Sequence, residues 1–310
     1  VGDTATTAGL WGVPLALLSG ATRVSTPFIF VSLGECLTEK SGRINLGQEG
    51  TLIMGAMSGY AVAYQCNSAW LGVMAGGGVG LLLGGLHALL CSRPRVNDVA
   101  VGIALMLFGT GLAFFLGKKY VQPVAPRLPA IPLGFWSHSS QVREALHINA
   151  LFFIGAALAP ALWWFFNRTR WGLIVRTVGE SVDAARAMGY SVNWVRAGAT
   201  IAGGGLAGMG GSFLSLYYPG SWNEGLSSGQ GLMAVALVIF ARWNPIYCLY
   251  ASLLFGAAGA LAPALQSVGV TSYRYMFAAA PYVLTLAIMI ATSSRTRTLA
   301  GVPAELTISR

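Results

Sequence analysis

Apolar runs at residues 8–33, 50–66, 69–91, 96–116, 149–167, 195–217, 229–241, 246–267 and 275–292 dominate this chain and decide which solvent it folds in. A helical span across a bilayer needs about 20 predominantly apolar residues. In hydrocarbon every backbone N–H and C=O must be bonded within the protein, which leaves helices or a closed barrel. Runs of this length favour helices. The expected fold is an all-α polytopic membrane protein, a single transmembrane domain over residues 1–310. Several runs fall short of a straight span, and Pro14 and Pro27 interrupt the first. Eight or nine transmembrane segments are therefore expected, some of them broken or re-entrant. Only 9% of the residues are charged, against about 25% in a soluble domain.

The formal charge of +9 is spread over the loops instead of forming one basic stripe, so lipid and not a nucleic acid polymer is the expected contact. Orientation explains it. With Arg295 and Arg297 inside, the loops at 242–245, 168–194 and 92–95 also fall inside, and each carries arginine, as the positive-inside rule requires. The long loop at 117–148 then lies outside the cytoplasm despite Lys118, Lys119, Arg127 and Arg143. Pro123, Pro126, Pro129 and Pro132 predict an extended, non-helical segment there. The stretch VGDTATTAGLWG lacks the basic region and cleavage site of a secretory signal, so the first apolar segment is expected to remain in the protein. Cys36, Cys66, Cys91 and Cys248 have no paired spacing and read as packing residues or free thiols. Gly76, Gly80 and Gly84, with Gly204 and Gly208, suit helices that approach closely.

Three polar segments interrupt the apolar pattern. Residues 39–50, EKSGRINLGQEG, cannot face lipid: they either line a pathway or form a cytoplasmic turn. On the first reading Asn45, Gln48 and Glu49 can hydrogen-bond a polar solute. Residues 217–225, YYPGSWNEG, mix aromatic faces with amides. Tyr217 and Trp222 either stack on a flat solute ring or belong to an interfacial aromatic belt. Asn97 and Asp98 open the fourth span, where Asn97 either joins the pathway or caps the helix.

The third segment is a short charged helix expected at 179–190. Gly179 and Gly189 bracket it, with Glu180, Ser181 and Asp183 at its start and Arg186 near its end, signs that complement the helix dipole. Ala184, Ala185 and Met188 keep its remainder small and apolar, which suits a helix seated in a groove on a soluble partner. The sequence has no GxxxxGK[ST] phosphate loop, no HExxH or GxSxG, and no metal-ligand spacing among His87, His138 and His147. Neither ATP hydrolysis nor another enzymatic activity is expected of this chain, and no cofactor or metal.

EKSGRINLGQEGTLIMGA at 39–56, WGLIVRTVGESVDAARAMGYSVNWVR at 171–196 and GLMAVALVIFARWNP at 231–245 resemble, in order and spacing, the signatures of ABC-importer permease subunits for simple sugars, nucleosides and related solutes, kin to ribose and branched-chain amino acid permeases. The resemblance runs from about residue 20 to 293. It implies a subunit in a bacterial inner membrane that pairs with a second, homologous permease and binds ATP-binding cassette subunits below. An extracytoplasmic solute-binding protein would dock above. ATP and magnesium would be used by the ATPase subunits, and the helix at 179–190 would be the coupling helix that docks on them. Nucleosides or nucleobases are the implied cargo, with simple sugars and riboflavin open. The alternative is a secondary transporter or channel without an ATPase, which would need an ion or proton relay built from Glu35, Glu49 and Asp98.

Overall fold

A computed structural model describes residues 12–121, 123–136, 140–267, 276–277, 279–292 and 301–307. The amino-terminal stretch read for a signal, the start of the first run, His138, the opening of the last run, and Arg295 and Arg297 lie outside the described residues.

The helices are α1 (Gly12–Lys40), α2 (Gln48–Cys66), α3 (Ala69–Cys91), α4 (Asp98–Gly117), α5 (Ser140–Ala145), α6 (Ala150–Arg168), α7 (Arg170–Glu180), α8 (Val182–Ala187), α9 (Val192–Leu216), α10 (Gln230–Phe240), α11 (Pro245–Ser267), α12 (Ala280–Thr292) and α13 (Ala304–Thr307). Among the described residues, five helices are long and apolar enough to cross a membrane: Pro14–Lys40, Ala69–Cys91, Asp98–Tyr120, Ala150–Arg168 and Pro245–Gln266. Helices α2 and α9 are also long, at 19 and 25 residues, but each opens on polar or charged residues, Gln48 and Glu49 in α2 and Asn193 and Arg196 in α9. With 11 residues, α10 reaches only partway across, about 16 Å at the usual helical rise.

Side-chain size sorts in the sense a lipid solvent demands. Along α4, Gly102, Leu105, Gly109 and Ala113 face inward, while Ile103, Leu107, Phe108 and Phe115 face outward, Phe115 at 71% exposure. A helix in water would turn its large apolar side chains inward. Small residues inside let backbones approach, and lipid takes the large ones. The clearest approach joins α3 to α9, where a methyl group added at Gly84 would stand 2.6 Å from the Thr200 carbonyl oxygen and one at Gly76 2.9 Å from that of Gly208. Helix α9 thus packs against α1, α2 and α3, while α1 also contacts α10 and α11.

The polar connections collect at two ends. At one, Arg43 meets Asp98, Arg196 meets Ser41 and Glu305, and Gly301 approaches Arg242. At the other, Tyr60 donates to the Pro123 carbonyl, Gln65 to Tyr120, Leu128 N–H to the Leu216 carbonyl, and Tyr217 to the His147 carbonyl. The loop at 117–148 differs from the extended segment its prolines predict. It holds a 3-10 turn at Lys118–Tyr120, the helix α5, and β1 (Ala130–Pro132), which pairs antiparallel with β2 (His147–Asn149). The prolines restrict only their own stretch. Asn149 closes the loop, donating to the Pro129 carbonyl at 3.0 Å and capping α6 through Leu151 N–H at 2.8 Å.

Candidate functional site

Helix α1 continues to Lys40, carrying Glu35 and Glu39, one turn apart, into the protein interior. An acidic side chain there must find donors. The chain supplies them by folding residues 41–47 back alongside α1: Glu35 accepts Asn45 N–H and Gln48 Nε2, each at 2.7 Å. Asn45 Oδ1 in turn accepts Gly47 N–H at 3.0 Å, closing the turn from which α2 starts. Arg43, 3% exposed, donates to the carbonyls of Ala88 (3.3 Å) and Cys91 (2.8 Å) at the end of α3 and pairs with Asp98 of α4 at 3.4 Å. The Cys91 carbonyl, last in the helix, lacks an intrahelical donor that the arginine supplies, while that of Ala88 also accepts Ser92 N–H at 3.0 Å.

Helix α10 is held at both ends by this same segment. At its start the Glu49 carboxylate accepts Ser227 Oγ (2.5 Å), Gly229 N–H (3.2 Å), Gly231 N–H (2.6 Å) and Leu232 N–H (3.3 Å). The free N–H groups and positive dipole end of a half-length helix thereby receive a buried anion from within the protein. Beyond its end, Arg242 and Trp243 both take left-handed backbone, φ 51° and 55°, uncommon for residues with a side chain. Trp243 Nε1 donates to Glu39 and fixes that turn. Trp243→Phe keeps most of the ring but leaves the Glu39 carboxylate short of a donor. It is expected to lower stability by about 1–3 kcal/mol, the cost of leaving a buried polar group without its partner, read by thermal unfolding in detergent.

The charged segment forms two helices where one was expected over 179–190. Helix α7 ends at Glu180, and Ser181, extended at φ −155°, caps α8 by accepting Ala184 N–H at 3.2 Å. At the far end Gly189 (φ +81°) donates to the Arg186 carbonyl and Tyr190 N–H to that of Ala185, the two bonds of a Schellman cap. Ala185 is buried with Val178, Val182 and Val192, whereas Asp183, Ala184, Arg186, Ala187, Met188 and Tyr190 are exposed. Gly179 is buried against the Lys40 carbonyl, and Glu180 is exposed.

Of the remaining residues singled out from sequence, Asn97 is exposed and caps α4 through Ala100 N–H at 3.0 Å. Tyr217 is half-buried, its ring 5.1 Å from that of Phe213. Trp222 is 1% exposed, packed against Gly117, and its indole N–H has no hydrogen-bond partner among the described residues. Gln48 is fully buried and its Oε1 is likewise unpartnered. The turn therefore gathers Asn45, Gln48 and Glu49, while Asn97, Tyr217 and Trp222 stand elsewhere. Sequence reasoning did not pick out Glu39, Arg196, Trp243 or Glu305 as site residues. Charge next to an apolar run signals the first two, since a buried ion needs a partner. Among the described residues, no group of three or more His, Cys, Asp or Glu stands where it could hold a metal ion.

Known proteins have similar sequences. A Haloferax volcanii protein, TsgC13, named provisionally as a glucose ABC transporter permease, is 36% identical over 81% of this chain and 78% of its own length. The nucleoside ABC transporter permease NupC of Lactococcus lactis subsp. cremoris is 29% identical over 86% of this chain and 88% of its own. The guanosine ABC transporter permease NupQ of Bacillus subtilis is 29% identical over 88% and 90%. A sequence profile matches residues 17–293, from the first turns of α1 through the 39–49 segment and α8 to the end of α12. A multi-pass helical protein matched over that length, with carboxylates turned to its own helices, belongs to the family described as branched-chain amino acid transport system / permease component.

Proposed function

We propose that this chain forms half of the pathway of an ATP-driven importer, passing a nucleoside, nucleobase or simple-sugar-like solute by alternating access. The observation that carries this reading is α8, a short helix whose outer face is exposed while Ala185 and Val182 seat it on the body. Such a helix suits docking in a cleft of a separate ATP-binding subunit, where ATP and magnesium are used. The end bearing α8 would be cytoplasmic, and the end bearing the 117–148 loop would receive a solute-binding protein. A second, homologous permease would complete the pathway. Eight or nine membrane segments follow if α2, α9, the half-length α10 and α12 are counted with the five apolar spans, in the bacterial inner membrane. The named cargoes of NupC, NupQ and TsgC13 support nucleosides and sugars.

A secondary transporter would need mobile charges. Glu35, Glu49 and Asp98 are instead engaged by Asn45 and Gln48, by α10, and by Arg43, which favours the ATP-driven reading. The test is uptake into liposomes carrying this chain with its ATPase, second permease and binding protein. ATP-dependent accumulation of labelled nucleoside or glucose is expected, and uphill transport by this chain alone under a proton gradient would overturn the reading.

Within the pathway, Gln48 and Trp222 are proposed as solute contacts, because each keeps an unused polar atom, Oε1 and Nε1. Asn45, Glu49, Asn97 and Tyr217 would shape the pathway through the bonds they make to the protein. Trp222→Phe, which removes the N–H and spares most of the ring, is expected to reduce uptake at saturating binding protein about tenfold, the worth of one hydrogen bond. Unchanged uptake would remove Trp222 from the pathway.

A further inference from the structure

Four separate pieces of chain converge beneath α8. Glu305, on the short helix α13, accepts Val182 N–H through Oε1 at 3.2 Å and pairs with Arg196 Nη2 through Oε2 at 3.3 Å. Arg196 Nε donates to the Ser41 carbonyl at 3.1 Å. Between them lies Gly42 (φ +80°), where a Cβ would stand 2.9 Å from Arg196 Nη2, 3.1 Å from Glu305 Cβ and 3.2 Å from Gly179 Cα. The Arg196 and Glu305 side chains are 10% and 9% exposed. A pair this buried is costly to break on one side, unlike an exposed ion pair. Its two oxygens serve different elements: one holds the first turn of α8, the other the second turn of α9. The Arg196 bond then leads to the turn that joins Glu39 of α1 to Glu49 of α2, and so to both ends of α10.

We propose that Glu305 is a positioning residue that fixes α8 to the 41–42 turn, so that displacement of α8 is passed to α10 instead of being lost as local motion. The transport part rests on the reading of α8 as the ATPase-docking element; the positional part does not.

Two substitutions address the bonds separately. Glu305→Gln keeps the shape and removes the charge. Val182→Pro removes the N–H donated to Glu305 while leaving the Arg196 pair, and proline suits a first helical position after an extended Ser181. A nitroxide on Ala187→Cys in a Cys66→Ser background reports the position of α8, since Cys36, Cys91 and Cys248 are buried. In lipid nanodiscs holding this chain alone, both substitutions are expected to make that label more mobile. In the assembled importer with unlabelled chains, ATP hydrolysis should persist while solute moved per ATP falls about tenfold, a coupling loss of ordinary size. An unchanged label in both variants overturns the positional role, whether or not an ATPase drives transport. A mobile label with unchanged solute per ATP overturns the coupling role. Parallel loss of hydrolysis and uptake makes Glu305 a structural residue only. If Glu305→Gln fails to accumulate in the membrane, Val182→Pro decides.

Discussion

Glu49→Ala is expected to abolish uptake and to cost about 3–5 kcal/mol of stability, the range for removing one side of a buried charged contact. The carboxylate is 7% exposed and accepts four donors, three of them backbone N–H groups around the start of α10. Alanine would leave all of them unmet where water does not replace it, at about 1–3 kcal/mol for each fully stranded group. The loss of an anion at a helix start adds a smaller dipole contribution. Glu49→Gln retains one acceptor oxygen and should fall between. Unfolding midpoints in detergent, with uptake normalised to inserted protein, measure both effects. A wild-type midpoint for the alanine variant would mean that α10 is satisfied by other groups.

Asp183→Arg and Ala185→Trp should each reduce transport by about a hundredfold or more, within the span of known coupling energies, while the chain still inserts. They act differently. Asp183 is exposed and its pairing with Arg186 at 3.7 Å contributes little to folding, so reversal of its charge alters only the presented face. Ala185 has no exposed surface, and an indole there must push α8 away from Val178, Val182 and Val192. Uptake is measured beside stimulation of ATP hydrolysis by loaded binding protein. Retained stimulation in both variants would sink the docking role of α8.

The apolar runs made the helices legible because span length is set by the bilayer and not by tertiary detail. Helices α2, α3, α6 and α10 fall within a residue or two of their runs. The break at Ser181 was harder to see, since the flanking glycines suggested one helix. Its signal is nonetheless local: a serine whose hydroxyl can reach the N–H three residues on. Long-range pairing is what the sequence conceals. Glu39 and Trp243 are separated by 204 positions, and Val182 and Glu305 by 123. A carboxylate beside an apolar run announces that it needs a partner without saying which. Trp222 shows the same limit, because an aromatic among glycine and proline reads as an interfacial residue until its contact with Gly117 places it inside.

The double attachment of α10 makes two distant stretches of chain a matched pair of lengths. Glu39 and Glu49 grip the far and near ends of an 11-residue helix, so adding one residue to either stretch would turn a gripping side chain out of reach. Single-residue insertions between residues 39 and 49 or within 229–243 are therefore expected to fail. Chimaeras with relatives should exchange those two segments together, even though almost two hundred residues separate them.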